Sequence, residues 1–398
     1  MKTQTKLIPF VLAAAFFSTS STAITVTEKA KKLAQENIII DSHIDVPYRL
    51  EEKWVDVTKA TSDGDFDYPR AKQGGLNAPF MSIYIPASLD NSASSTRLAD
   101  KLIDYVEAIV GRAPDKFAVA KSTQDVQEHF AKGLISLPMG MENGSPIQGD
   151  LANLQHFYER GIRYITLAHS QANHISDSSY DLRRKWKGLS PFGKELIKEM
   201  NNLGVLVDIS HVSDAAFYQA IEISQTPVIA SHSSLRAFTP GFERNMDDDM
   251  IKALGKNGGV IQINFGSTFV TKRANAWSNQ RSAEQKKVEK KFGKDSEEYK
   301  NFRTQFSQDN PLPYATLDSV LDHIDYVVKL IGIDHVGIGS DYDGVGDSLP
   351  TDLKDVSTYP NLIQGLLNRG YSETDISKIL SGNFIRVWKA NELYAADH

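Results

Sequence analysis

The sequence predicts an α/β fold, a (β/α)8 TIM-like barrel with a binuclear metal site at the C-terminal face of its strands. Three observations predict it. Eight short runs rich in Ile, Val and Leu alternate with longer segments of helical period, the pattern of βα units and a parallel sheet. Polar residues crowd the C-terminal ends of several runs, where barrel enzymes place their chemistry. No Gly-rich phosphate loop follows the first run, which disfavours a dinucleotide-binding open sheet.

In order, the runs are 37–40, 80–85, 134–139, 163–167, 205–209, 228–230, 260–264 and 335–339. Between them, segments 98–110, 193–202, 214–223, 247–254 and 317–331 repeat apolar residues at helical spacing, as expected of helices that cover the outside of a sheet. One stretch breaks the alternation. Residues 271–310 are strongly charged and poor in aliphatic side chains, which predicts a helical insertion. It follows the seventh run, so it is read either as a solvated excursion or as a lid or dimer contact beside the mouth of the barrel.

Residues 1–23 open with Lys2 and Lys6, continue through an apolar run and finish in Ser21-Thr22-Ala23. That is the layout of a cleavable secretory signal, with cleavage expected after Ala23 and a periplasmic or secreted product. Residues 24–398 are then expected to form a single barrel domain. The chain contains no cysteine, so it has neither a disulfide nor a lipidated cysteine, and any metal site must use His, Asp and Glu. The net charge is −6 and no long basic run remains after the signal, which argues against a nucleic-acid partner.

The first run leads into Asp41-Ser42-His43-Ile44-Asp45. Strand alternation places Asp41, His43 and Asp45 on one face, and a buried charged face needs a cation or a structural partner. Glu142 follows the third run, where Gly140 and Gly144 permit a tight backbone and a carboxylate can bridge two ions. The fifth and sixth runs end in His211 and His232, one βα unit apart and so neighbours on the rim. A single histidine at a strand end is more often structural; two on successive ends, with His43, Asp45 and Glu142 on the same rim, favour metal. The set sorts into His43, Asp45 and Glu142 on one ion and Glu142, His211 and His232 on the other. Mixed imidazole and carboxylate ligation suits two Zn2+, and such a pair can hold a bridging hydroxide and polarise a carbonyl.

Three more residues stand where substrate groups belong. Asp341 follows the eighth run and can hold an ammonium and shuttle a proton to a leaving amine. His169 follows the fourth and can donate to an oxyanion. Arg244 can clamp a terminal carboxylate through paired donors. Each also has a plain reading as a hydrogen-bonded rim residue, and for Asp343 structural support is favoured.

With these residues assembled, the chain from about 37 to 388 resembles the membrane (renal-type) dipeptidases, metallopeptidase family M19 of the amidohydrolase-like barrels. The resemblance rests on Asp41 to Asp45, the Glu142 segment, Tyr164 to His169, Asp208 to His211, Ser231 to Ser234, Arg244-Asn245, Gly339 to Gly344 and Gly382 to Val387. It implies that His43, Asp45, Glu142, His211 and His232 are zinc ligands and that His169, Arg244 and Asp341 contact substrate. It also implies zinc-dependent hydrolysis of dipeptides, in many members with tolerance for a C-terminal D-residue, and a homodimer. The 271–310 insertion and the lack of cysteines depart from animal members. The short polar C-terminus gives no support for a lipid anchor.

Two other readings compete. Another amidohydrolase, acting on cyclic amides or lactams, typically begins with a His-x-His pair, which this chain lacks. An exported solute-binding protein has two open-sheet lobes about a hinge and needs no shared bridging carboxylate.

Overall fold

Eight parallel strands lie side by side in chain order: β1 (Ile40–Ile44), β2 (Ala78–Tyr84), β3 (Met139–Glu142), β4 (Ile162–Thr166), β5 (Leu206–Asp208), β6 (Ile229–Ser233), β7 (Val260–Ile263) and β8 (Val336–Ile338). The structure, a computed structural model, describes residues 24–90 and 92–398; the expected signal segment lies outside the described residues. The ring closes where β1 meets the chain just past β8. There Asp341 N donates to the His43 carbonyl at 3.1 Å, Asp45 N donates to the Tyr342 carbonyl at 2.9 Å, and Ile44 bridges Tyr342 in parallel.

The two faces of the strands bury different sets of residues. Ile40, Ala78, Phe80, Tyr164, Leu206, Ile229 and Val260 meet Phe384, Val387 and Trp388 of the C-terminal helix Asn383–Ala396. Five of the seven strand residues, Ile40, Ala78, Leu206, Ile229 and Val260, are the first of their strands, so this helix caps the N-terminal end of the barrel. The other face, including Ile83, Met141, Ile165, Val207, Ala230 and Ile261, joins the larger core beneath the surrounding helices. Those helices begin and end where local chemistry dictates. Pro191–Leu203 starts on the Ser190 cap with Pro191 in its first turn and stops at Gly204 in the left-handed region, as Pro and Gly favour at those ends. Leu317–Ile331 opens with a reciprocal capping box between Thr316 and Ser319.

All eight expected strands are present, with two corrections. The run at 134–139 is not one strand. Ile135–Leu137 pairs with Phe117–Val119 in a separate two-stranded sheet, and the barrel strand begins only at Met139. Pro138 divides them: it has no N–H for a ladder, though its carbonyl accepts from Met81 N at 2.8 Å. The first strand starts at Ile40 and runs through the polar motif to Ile44 rather than ending at 40, and its register against β2 shifts between Asp41 and Ile44. That shift defeats the simple alternation. Asp41 does not share a face with His43 and Asp45; its carboxylate accepts from Ser340 N at 3.0 Å and from the Tyr359 hydroxyl.

The 271–310 segment is helical, as Lys272–Phe292 and Glu297–Asp309. The two helices meet through Trp277 and Phe306, ring centroids 5.7 Å apart, and Trp277 Nε1 donates to the Asn310 carbonyl at 2.7 Å. Their other surfaces are largely exposed. No helix among the described residues is long and apolar enough to cross a membrane.

Candidate metal centre

The strand ends bring together every residue that the sequence nominates as a ligand. Glu142, the last residue of β3, sits at the centre and is buried. Its Oε2 lies 3.5 Å from His43 Nε2. Its Oε1 lies 3.2 Å from His211 Nε2 and 3.3 Å from His232 Nε2. His43 Nε2 is also 3.5 Å from Asp45 Oδ2. One carboxylate thus turns one oxygen toward a His–Asp pair and the other toward a His–His pair. His43 and His232 stack at 3.7 Å between ring centroids, so the two groups adjoin.

Hydrogen bonding prepares these side chains for a cation. Tyr164 donates its hydroxyl hydrogen to the Ser42 carbonyl at 3.0 Å and stands 2.8 Å from His43 Nδ1. With its hydrogen committed, it accepts from Nδ1–H, which leaves the lone pair of Nε2 pointing into the centre. His232 is fixed the same way: Nδ1 is 2.8 Å from Ser231 Oγ, which donates to Asp208 Oδ2 at 2.6 Å. A supporting acceptor behind the ligating ring is the usual company of a metal-bound histidine. Gly140 makes room for this support, because a Cβ there would fall 2.0 Å from the Tyr164 ring.

The electrostatics agree. Burial acts against a charge on Glu142, yet the imidazoles of His43, His169, His211 and His232 hold it well below the usual carboxylate range. Burial depresses His211 and His232, leaving both neutral and able to coordinate. Burial opposes protonation of His43 too, but Tyr164 and the carboxylates of Glu142 and Asp45 raise it well above the ordinary value; positive charge is wanted between them. His43 Nε2 and Asp45 Oδ1 are buried without a hydrogen-bond partner, and the Nε2 atoms of His211 and His232 converge to 2.8 Å. Unpartnered and converging lone pairs of this kind are expensive unless a cation meets them, so the residues present fit bound metal.

The substrate candidates surround this centre. His169 Nε2 is 3.6 Å from Glu142 Oε1, within ligand reach of the same group as His211, a closeness the sequence did not suggest. Asp341 joins His43 and Asp45 through the closure seam. It adopts a left-handed backbone with φ of 64°, accepts from Asn264 Nδ2 at 2.7 Å, and has its pKa raised to about 7 by burial and by Asp45. Arg244 is buried beside His232, donating to its carbonyl at 2.6 Å and to Ser233 Oγ at 2.7 Å, with Nε unpartnered. Two of its five N–H groups are thereby used. Asp343, for which structural support is expected, exchanges hydrogen bonds with Asp65 and pairs with Arg49 at 3.1 Å, and it also lines the cavity described below. Tyr164, Asp208, Ser231 and Asn264 were missed as functional residues, although each lies inside or beside a motif singled out above.

A cavity of about 990 Å3 opens onto this centre past Tyr84, His169, Tyr180 and Asp341. A family model, membrane dipeptidase (peptidase family M19), matches residues 27–398.

The chain belongs to peptidase family M19. It is 31% identical over 371 residues to an uncharacterized dipeptidase of Schizosaccharomyces pombe, covering 89% of this chain and 81% of that one. It is 34% identical over 331 residues to the dipeptidase aclJ of Aspergillus oryzae, covering 81% and 69%. The crystal structure of the probable dipeptidase PvdM of Pseudomonas aeruginosa superposes with a TM-score of 0.78 at 26% identity, over 92% of this chain and 98% of that one. As an M19 chain it is a hydrolase of the metallodipeptidase class on a TIM barrel. The strand-end cluster of metal-capable residues is where such a barrel carries its chemistry.

Proposed function

We propose that this M19 enzyme hydrolyses the peptide bond of free dipeptides with two zinc ions, one held by His43, Asp45 and Glu142 and the other by Glu142, His211 and His232. The observation that carries the reading is the division of Glu142, whose Oε2 faces His43 while Oε1 faces His211 and His232. An all-imidazole and carboxylate donor set suits zinc. Bound there, the ions would lower the pKa of a water nucleophile and polarise the scissile carbonyl.

The chain's own residues do the rest. Arg244 holds the terminal carboxylate with its remaining donors. Neutral His169, its pKa lowered by burial, donates one N–H to the oxygen that gains charge. Asp341 neighbours Asp45 at the closed seam, and burial together with the Asp45 charge raises its pKa, which favours its carrying a proton. It holds the free ammonium and passes a proton to the departing amine nitrogen. We also read residues 1–23 as an export signal, on the strength of Lys2, Lys6 and the apolar run that follows; mass analysis of the mature protein should find its first residue at Ile24.

The deciding assay is amino-acid release from free, N-acetylated and C-terminal D-residue dipeptides, run with apo-protein and after zinc is restored. Zinc-dependent cleavage of the free but not the N-acetylated compounds supports the reading, and the D-residue arm sets its stereochemical range. A protein holding two zinc ions that cleaves none of them overturns it.

A further inference from the structure

Part of the wall of the active-site cavity is built by the insertion, and its charged side chains there are arginines, while Glu52 and Asp347 line the cavity from other segments. Trp277, Ser278 and Arg281 of the first insertion helix line it with Arg303 and Ser307 of the second. Residues 271–310 carry ten Lys and Arg against six Asp and Glu, in a chain of net charge −6. Away from the cavity three of the seven lysines are neutralised locally: Lys287 pairs with Glu284, Lys294 with Glu289 and Lys300 with Glu297. Arg281 and Arg303 have no such partner among the described residues. Instead both line the same cavity, and burial together with the nearby Arg303 charge lowers the pKa of Arg281. Two like charges directed at one space are unfavourable unless an anion joins them.

Arg281 is also held in place. The Arg281 guanidinium lies over the Trp277 ring, 4.7 Å from its centroid, and that ring is pinned by Asn310 and Phe306. A pre-positioned planar guanidinium loses little freedom when it takes a carboxylate. At about 990 Å3 the cavity lies at the upper end of small-molecule sites, and it extends beyond the metal centre to these arginines. We infer that Arg281 and Arg303 form an anion subsite that takes the side-chain carboxylate of an acidic residue in the substrate, so that the enzyme selects dipeptides bearing a second negative charge. This rests on the dipeptidase reading and adds a substrate class to it.

The test compares Ala-Ala, Ala-Gln, Ala-Glu, Gln-Ala and Glu-Ala on zinc-loaded wild type and on the double variant Arg281→Gln/Arg303→Gln. At one of the two positions, wild type should prefer Glu over Gln by about tenfold in kcat/KM, and the double variant by about onefold. Ala-Ala should be cleaved by both proteins within about threefold, because neither arginine belongs to the metal centre. Equal Glu-to-Gln ratios in the two proteins, with Ala-Ala cleaved normally, overturn the subsite and leave the dipeptidase reading standing. Failure to cleave any of the five points instead at that reading. Calorimetric binding of the same peptides to Asp341→Asn, with and without the arginine changes, then decides the subsite without turnover. Tighter binding of the Glu peptide that depends on the arginines supports it; equal binding of Glu and Gln peptides overturns it.

Discussion

The hydroxyl of Tyr164 lies 2.8 Å from Nδ1 of His43 and gives its own hydrogen to the Ser42 carbonyl. A residue that touches no substrate thereby dictates which nitrogen of His43 carries the proton. Tyr164→Phe keeps the ring between Gly140 and Phe80 and removes only the acceptor. We expect metal affinity to fall by about 10- to 100-fold, read by competition with a chromogenic chelator, with far-UV circular dichroism unchanged. Affinity equal to wild type would show that His43 needs no such partner.

Asp341→Asn removes the exchangeable proton but suits the backbone, since asparagine accepts the left-handed conformation found there. Turnover should drop by about 100-fold or more, and KM should rise as the substrate ammonium loses its anionic partner. Near-normal kcat in a variant with full metal content would take the proton shuttle away from Asp341.

Arg244 recognises the free C-terminus if its three unused donors do what their placement allows. Wild-type enzyme should therefore cleave C-terminally amidated dipeptides much more slowly than the acids. Arg244→Lys, which cannot offer paired donors, should narrow that gap mainly by losing activity on the acids. Equal rates for acid and amide on wild type would end this assignment.

His323 offers a test of stability away from the catalytic centre. It is fully buried, accepts from Leu235 N at 3.1 Å and donates to the Val270 carbonyl at 2.9 Å. Burial lowers its pKa from 6.5 to about 4. Between those values the unfolded chain binds a proton that the folded chain refuses, so its contribution is complete above pH 6.5 and is lost as pH falls toward 4. The loss amounts to roughly 3 kcal/mol. His323→Gln can keep both hydrogen bonds without titrating. The difference in urea midpoint between wild type and this variant should shift against wild type from pH 7 to pH 4.5; a difference independent of pH would refute the linkage.

How far the sequence could be read depended on the kind of signal. Runs such as 205–209 and 260–264 are continuous, apolar and flanked by helical period, and they became β5 and β7 with little change. Ligands at strand ends were legible because position after a run is a local property, which is how His211 and His232 stood out. Pro138 was visible but undervalued, although a residue without an N–H is a natural place to divide 134–139. Asp41 could not be placed by alternation because a register shift between neighbouring strands depends on the partner strand. Tyr164 and the Arg281–Arg303 pair were hidden for the same reason. Their roles arise from contacts across 121 residues in the one case and between two helices in the other.

The seam where β1 meets the chain beyond β8 also sets a timetable. Asp41 is tied to Ser340 and Tyr359, 299 and 318 residues away, and Asp45 and Asp341 become neighbours only when those ends join. A chain still emerging from the ribosome can carry His43, Glu142, His211 and His232 and yet lack Asp341 altogether. On the proposed mechanism, proton transfer to the leaving amine therefore waits for the final turn of the ring.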